Sequence, residues 1–270
     1  MTAPNEIPVK SLLRLLGAPE APRIIDVSTD DDFAADPVLI PGATRHPHDR
    51  IGCLAQRLDG ARVVIVCQKG RKLSQGAASW LRSEGIEAEY LEGGMAGWSA
   101  ANGPRVPAAV VPAPFGGATL WVTRHRPKID RIACAWLIRR FVDPGARFLF
   151  VAPAEVASVA ERFGATPFDV EDVFWTHRGT GCTFDTMLDE FALRLDPLEA
   201  LATVIRGADT NRHDLAPEAA GLLALSVGLS RQYRDDHAQL EAGLPLYDAL
   251  YRWARDGRNE GHDWPAGRAA

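Results

Sequence analysis

Val63-Val64-Ile65-Val66-Cys67-Gln68-Lys69-Gly70-Arg71-Lys72-Leu73-Ser74 is the stretch on which the reading of this chain turns. Four apolar residues without polar alternation describe a strand buried on both faces. A polar loop carrying Lys69, Arg71 and Lys72 follows, and from Ser74 to Gly85 the pattern becomes helical with a glycine at its end. Cys67 therefore stands at the carboxyl end of a strand and just before a helix N-terminus, where backbone N–H groups and the helix dipole favour negative charge. The thiolate is the nucleophilic form of cysteine, so this setting suits a reactive thiol better than a packing residue.

Working outward, apolar strands and helices alternate. Strands are expected at 23–27, 62–67 and 88–91, and helices at 9–16, 51–58, 74–85 and 94–101. This pattern predicts an α/β unit, a parallel sheet with helices on both faces, and ligands at the carboxyl ends of its strands. Residues 104–118 are rich in proline and glycine and read as a semi-rigid linker. The organisation expected is a first domain over 1–103, that linker, a second domain over 119–257 that is mainly helical α+β, and a flexible tail over 258–270.

Composition narrows the function classes. The 270 residues carry a net charge of −5, which disfavours non-specific nucleic-acid binding. The four cysteines have no CxxC spacing and fit a reducing compartment rather than a disulfide framework. The N-terminus has no basic, apolar leader and no run reaches membrane-spanning length, so a cytoplasmic protein without membrane partners is expected.

Four motifs carry a resemblance for the first half: Ile25-Asp26-Val27, Ile40-Pro41-Gly42-Ala43, Val66-Cys67-Gln68-Lys69-Gly70, and Leu91-Glu92-Gly93-Gly94-Met95-Ala96-Gly97-Trp98. In this order they resemble a rhodanese domain. The resemblance implies a sulfurtransferase in which Cys67 forms a persulfide and no cofactor is required. Asp26, Gln68, Lys69, Gly70, Arg71, Lys72 and Ser74 would build the active-site loop, and a small sulfur donor and an acceptor thiol would be the partners. Lys72 holds the position where the family usually has Arg, and Ser74 comes one residue late, so Leu73 reads as an insertion that lengthens the loop.

The second half opens with a strand at Trp121–Thr123, and Pro127 suits the first turn of a helix through Ile129, Ile132, Ala133, Trp136, Leu137 and Phe141. Residues 124–140 hold six Lys and Arg against one Asp. Cations gathered at a helix N-terminus make an anion site, with Arg124, Arg131 and His177 the candidates; a solvent-facing basic helix is the alternative. Asp209 and His213 are four apart and share a face if 207–215 is helical, a spacing that suits metal ligands. With His177, on a loop after an expected Val173–Trp175 strand, and His237 on a later helix, they could hold a divalent metal: zinc, iron or manganese. Pro217 to Leu229 reads as the core helix, and Pro245 to Arg255 as an amphipathic helix packed on it.

This half resembles the C-terminal domain of the ChrB chromate-resistance family. The carrying residues are Trp121-Val122-Thr123-Arg124, Arg126 to Cys134, Trp136 to Phe141, Pro167-Phe168-Asp169, Thr176-His177-Arg178-Gly179, Gly207 to Thr210 and Tyr233 to His237. The resemblance implies a link to chromate or another oxyanion. Two functions follow as expectations. One is sulfur transfer at Cys67 coupled to an oxyanion- or metal-binding domain. The other is a chromate- or redox-sensing regulatory protein in which the first domain is a non-catalytic module.

Overall fold

The computed structural model describes residues 4–58, 60–114 and 116–261. The first domain contains β1 (Glu6–Ile7), α1 (Val9–Leu15), β2 (Arg23–Asp26), α2 (Asp30–Ala35), β3 (Val38–Leu39), β4 (Ala43–Arg45), β5 (Val63–Val66), α3 (Lys72–Ser83), β6 (Ala88–Leu91) and α4 (Gly94–Ala100). Five strands form one parallel sheet in the order β1-β6-β5-β2-β4. Every residue of β5 is fully buried, as its unbroken apolar run requires. Ile25, Ile65 and Cys67 point to one face, where α3 and a 3₁₀ helix over His48–Arg57 cover them. Ile24, Val64 and Val66 point to the other.

That second face is also where the other domain docks. It contains β8 (Leu120–Arg124), α5 (Asp130–Leu137), β9 (Arg147–Val151), α6 (Val156–Phe163), β10 (Thr166–Pro167), α7 (Thr183–Glu190), α8 (Asp196–Asp209), α9 (Glu218–Gln232) and α10 (Asp236–Arg252). Its three strands are parallel, in the order β10-β8-β9. One continuous core joins Leu12, Leu16 and Trp98 of the first domain to Trp136, Phe141 and Tyr251 of the second. Gly17, at φ +73°, permits the contact, because a Cβ there would lie 2.3 Å from the Phe141 ring. Gly42 N–H donates to the Phe141 carbonyl at 2.6 Å, and Arg255 donates to the Arg14 carbonyl at 3.1 Å.

The linker is bound rather than free. β7 (Val106–Pro107) pairs antiparallel with β3, and Trp98 Nε1 donates to the Pro104 carbonyl at 2.8 Å. Proline is tolerated here because β7 is an edge strand.

Several local expectations are corrected. α3 starts at Lys72, two residues before Ser74, so Leu73 belongs to its first turn and the loop itself spans only 68–71. The helix expected from Pro127 starts at Asp130, because Arg126 (φ 57°) and Ile129 (φ 33°) turn the chain out of helical geometry. Val173–Trp175 is not a strand; Trp175 makes an isolated bridge to Phe168. The core helix is α5, in which every residue except Arg131 is buried. α9 instead buries Ser226 and Ser230 and exposes Leu225 and Val227. Pro245 lies inside α10 rather than at its start.

The shared core predicts cooperative unfolding. In urea, far-ultraviolet ellipticity and tryptophan fluorescence should fall together in one transition. Gly17→Ala combines a steric clash with left-handed strain and should cost about 2–4 kcal/mol. Two separated transitions, or an unchanged midpoint in Gly17→Ala, would show that the domains do not share their stability.

Candidate functional sites

Cys67 ends the β5 segment with its side chain buried. Its sulfur lies 3.2 Å from Ser74 Oγ, on the first turn of α3, and Ser74 in turn donates to the Arg71 carbonyl at 3.2 Å. The loop is clamped by the start of α4. Met95 N–H donates to the Cys67 carbonyl at 3.1 Å, and Ala96 N–H to the Gln68 carbonyl at 3.0 Å. This explains the Gly93-Gly94 pair. Both glycines have positive φ, and a Cβ on Gly94 would stand 2.0 Å from the Cys67 carbonyl oxygen. Gly70, at φ +62°, packs equally close to the backbone of Leu91 and Gly94.

The remaining loop residues fall into two groups. Lys69, Arg71 and Lys72 are exposed around the thiol, and none forms an ion pair among the described residues. Asp26 is buried at the end of β2 in register with Val66, and its carboxylate accepts the Ser28 N–H at 2.8 Å. Asp26 and Gln68 both line a cleft between β2 and α4. The result is a buried sulfur on a fixed loop whose exposed cations form no ion pair among the described residues.

The second constellation lies at the carboxyl edge of the β10-β8-β9 sheet, the usual place for ligands in parallel sheets. Arg124 ends β8, Asp130 and Arg131 open α5, Asp169 follows β10, His177 sits on a loop, and Asp209 ends α8. His177 Nε2 is 3.2 Å from Asp169 Oδ1, 3.4 Å from Asp130 Oδ2 and 3.6 Å from Asp209 Oδ2. Arg131 Nε lies 2.9 Å from Asp169 Oδ2, and an Arg124 guanidinium nitrogen 3.6 Å from the same oxygen.

Asp130 organises this site. It is 1% exposed, and its carboxylate accepts the N–H groups of Thr183 (2.7 Å) and Phe184 (3.0 Å), the first residues of α7. Ile129, just before it, is held at φ 33° while its carbonyl accepts the Tyr247 hydroxyl at 2.7 Å. Backbone strain of this kind persists only where surrounding packing enforces it.

The charges perturb one another. Hydrogen bonding to Asp130, then to Asp169, raises His177 to about 10. Burial, reinforced by Asp130 and Asp169, pushes Asp209 up to about 7. Burial works against ionisation of Asp169, but His177 and Arg131 outweigh it and hold this carboxyl below its ordinary range. Cys134 and Cys182 lie deep beside Asp130, and burial followed by that charge pushes both thiols well up, away from nucleophilic chemistry. Cys182 is committed to capping α7, its N–H and sulfur both directed at Asp185.

The expected anion-site residues Arg124, Arg131 and His177 do converge, but around carboxylates that match their charge. Three of the four remaining cations of the basic stretch are consumed by structure: Arg139 pairs with Glu241, Arg140 with Asp248, and Arg126 donates to the Tyr233 carbonyl, while Lys128 is exposed. Of the expected metal ligands, His177 and Asp209 meet. His213 does not, because α8 ends at Asp209. Asn211 is left-handed (φ 56°), and Arg212 N–H closes back on the Gly207 carbonyl at 2.8 Å, a Schellman stop. His213 is left exposed on the turn. His237 is also exposed and packs its ring against Phe150. Asp130 takes the missing place, giving Asp130, His177 and Asp209 as a set able to hold a metal. The sequence did carry a signal for it, as the lone acid among six cations.

Comparison with known proteins agrees with both halves. Residues 8–101 match the rhodanese-like domain family, and residues 121–254 match the ChrB C-terminal domain family. Protein ChrB of Cupriavidus metallidurans is 36% identical over 132 residues, which cover 48% of this chain and 39% of that protein. A rhodanese-like domain protein from Staphylococcus aureus is 30% identical, covering 35% of this chain and 91% of its own, with a TM-score of 0.32. A thiosulfate sulfurtransferase from Pseudomonas aeruginosa is 26% identical, covering 38% of this chain and 19% of its own, with a TM-score of 0.34. The chain therefore joins a rhodanese-like domain to a C-terminal domain of the ChrB chromate-resistance family.

Proposed function

We propose that this protein is a sulfurtransferase acting within chromate resistance, with Cys67 as its nucleophile. The Cys67 thiolate attacks the outer sulfur of a persulfide or thiosulfonate donor. A sulfur–sulfur bond forms on Cys67 as the donor's own bond breaks, releasing a thiolate from a persulfide or a sulfinate from a thiosulfonate. An acceptor thiolate then attacks the outer sulfur of the Cys67 persulfide, and the Cys67 thiolate leaves. No net oxidant is needed, and none of these steps requires a metal.

The observation that carries this reading is the fixed loop itself. Cys67 is held at both ends, its sulfur by Ser74 on α3 and its carbonyl by the Met95 N–H on α4, while the Ala96 N–H holds the Gln68 carbonyl beside it. A preorganised loop that carries Lys69, Arg71 and Lys72 suits an anionic sulfur donor without rearrangement. Lys72 offers charge without the bidentate fork of an arginine, which suits persulfide donors better than bidentate recognition of thiosulfate. No helix among the described residues is long and apolar enough to cross a membrane, and the cysteines are free, in keeping with work in a reducing cytoplasm.

The second domain is the link to chromate. Direct capture of the oxyanion by Arg124, Arg131 and His177 is disfavoured by the carboxylates that already face them. DNA binding has little support in a chain of net charge −5.

Three outcomes test this reading. Incubation with a persulfide donor should add one sulfur, about 32 Da, to the wild type and nothing to Cys67→Ala; an equal adduct on both would sink the proposal. The Ser74 hydroxyl accepts from the Cys67 thiol and donates to the Arg71 carbonyl; once the thiol is ionised it is free to turn its proton to the sulfur, so Ser74→Ala should slow alkylation of Cys67 at pH 7 about tenfold, the scale of one hydrogen bond to a charged group. Gly94→Ala forces the clamp away from the Cys67 carbonyl and should abolish sulfur transfer; a rate within twofold of wild type would show that the clamp is dispensable.

A further inference from the structure

His177 Nε2 faces three carboxylates from three separate elements, at 3.2, 3.4 and 3.6 Å. A proton on this nitrogen can serve only one of them well. Its hydrogen bond to Asp169 is long at 3.2 Å, and Asp130 and Asp209 stand farther out than the roughly 2.7–2.9 Å of a charge-assisted bond. The 3.4 Å spacing from His177 to Asp130, and nearly the 3.6 Å spacing to Asp209, are instead those between ligands around one cation. Nitrogen and oxygen ligands about 2.1 Å from a metal lie about 3.0–3.4 Å apart in octahedral or tetrahedral geometry.

Other features point the same way. Asp209 receives no hydrogen bond among the described residues, and its ion contact is with His177. Thr123 is 0% exposed, and its hydroxyl has no partner among the described residues. It lies on the strand face that carries Trp121 against Phe168 and Trp175, two residues nearer the carboxyl edge where the cluster sits. A buried hydroxyl without a partner is rare in a finished protein interior. Asp130 is already oriented by the α7 N–H groups, and Asp169 is turned to Arg131.

We infer that Asp130, His177 and Asp209 bind one divalent first-row transition cation. One imidazole and two carboxylates suit manganese, iron or zinc better than softer ions. The site is distinct from Cys67 and does not depend on sulfur transfer.

Full-length protein stripped with EDTA and titrated with Mn²⁺ or Zn²⁺ in a calorimeter should take up one ion per chain. Bound Mn²⁺ should show nitrogen hyperfine coupling in pulsed electron paramagnetic resonance, and His177→Gln should lose it. Asp209→Asn removes a carboxylate that accepts no hydrogen bond, so the fold should survive while binding weakens at least tenfold. His213→Ala, His237→Ala and Cys67→Ser should bind as the wild type does. Failure of both ions to bind stoichiometrically overturns the inference. So does binding that Asp209→Asn leaves unchanged, and this variant decides the matter even if His177→Gln fails to fold.

Discussion

The second domain depends on a buried negative charge, the Asp130 carboxylate. Burying an isolated carboxylate costs several kcal/mol unless donors compensate it. Here the compensation is structural: two N–H groups at the start of α7, and His177 from a separate loop. Those contacts fix α5 against α7 and bring the loop to the carboxyl edge of the sheet. The fully buried α5 leaves no room for the carboxylate to turn away. Losing any donor would leave a charge unmatched in a dry core, so site geometry and domain packing are one constraint.

The first domain solves a different problem. Its sulfur must be fixed yet able to react, and it is held through the loop backbone rather than through charge pairing. Two glycines with positive φ let α4 approach the Cys67 and Gln68 carbonyls, while the exposed loop cations form no ion pair among the described residues. The two sites thus differ in kind. One is a cysteine on a clamped loop; the other is a charge cluster at a sheet edge. They lie in domains that share a core through Leu16, Phe141 and Tyr251, so a change of packing at one domain is felt by the other.

Legibility in the sequence followed the range of the interactions. The Cys67 loop could be read because strand, loop and helix are consecutive, and the Gly93-Gly94 motif names its own clamp. The cation-rich stretch at 124–140 was visible, but its meaning was not. Arg139 and Arg140 pair with carboxylates on α10, a helix more than a hundred residues away in the chain. The spacing of Asp209 and His213 misled because helical periodicity says nothing about where a helix stops, and Asn211 stops it. α9 was only partly legible: Ala219 and Leu222 do join the core, but farther along the inward face carries Ser226 and Ser230 while Leu225 is exposed.

By itself the sequence determined two domains, the parallel sheet of the first, and the place of Cys67 at the end of its central strand. Each follows from local patterns: unbroken apolar runs, turn residues, and motifs within one short segment. Only the tertiary structure decided that the linker is strapped down by β7, that the domains share a core, and that Asp130 rather than His213 joins His177 and Asp209. Those outcomes depend on contacts between distant segments, set by how charges and side-chain volumes are satisfied once the chain is folded, and no periodicity in the sequence encodes them.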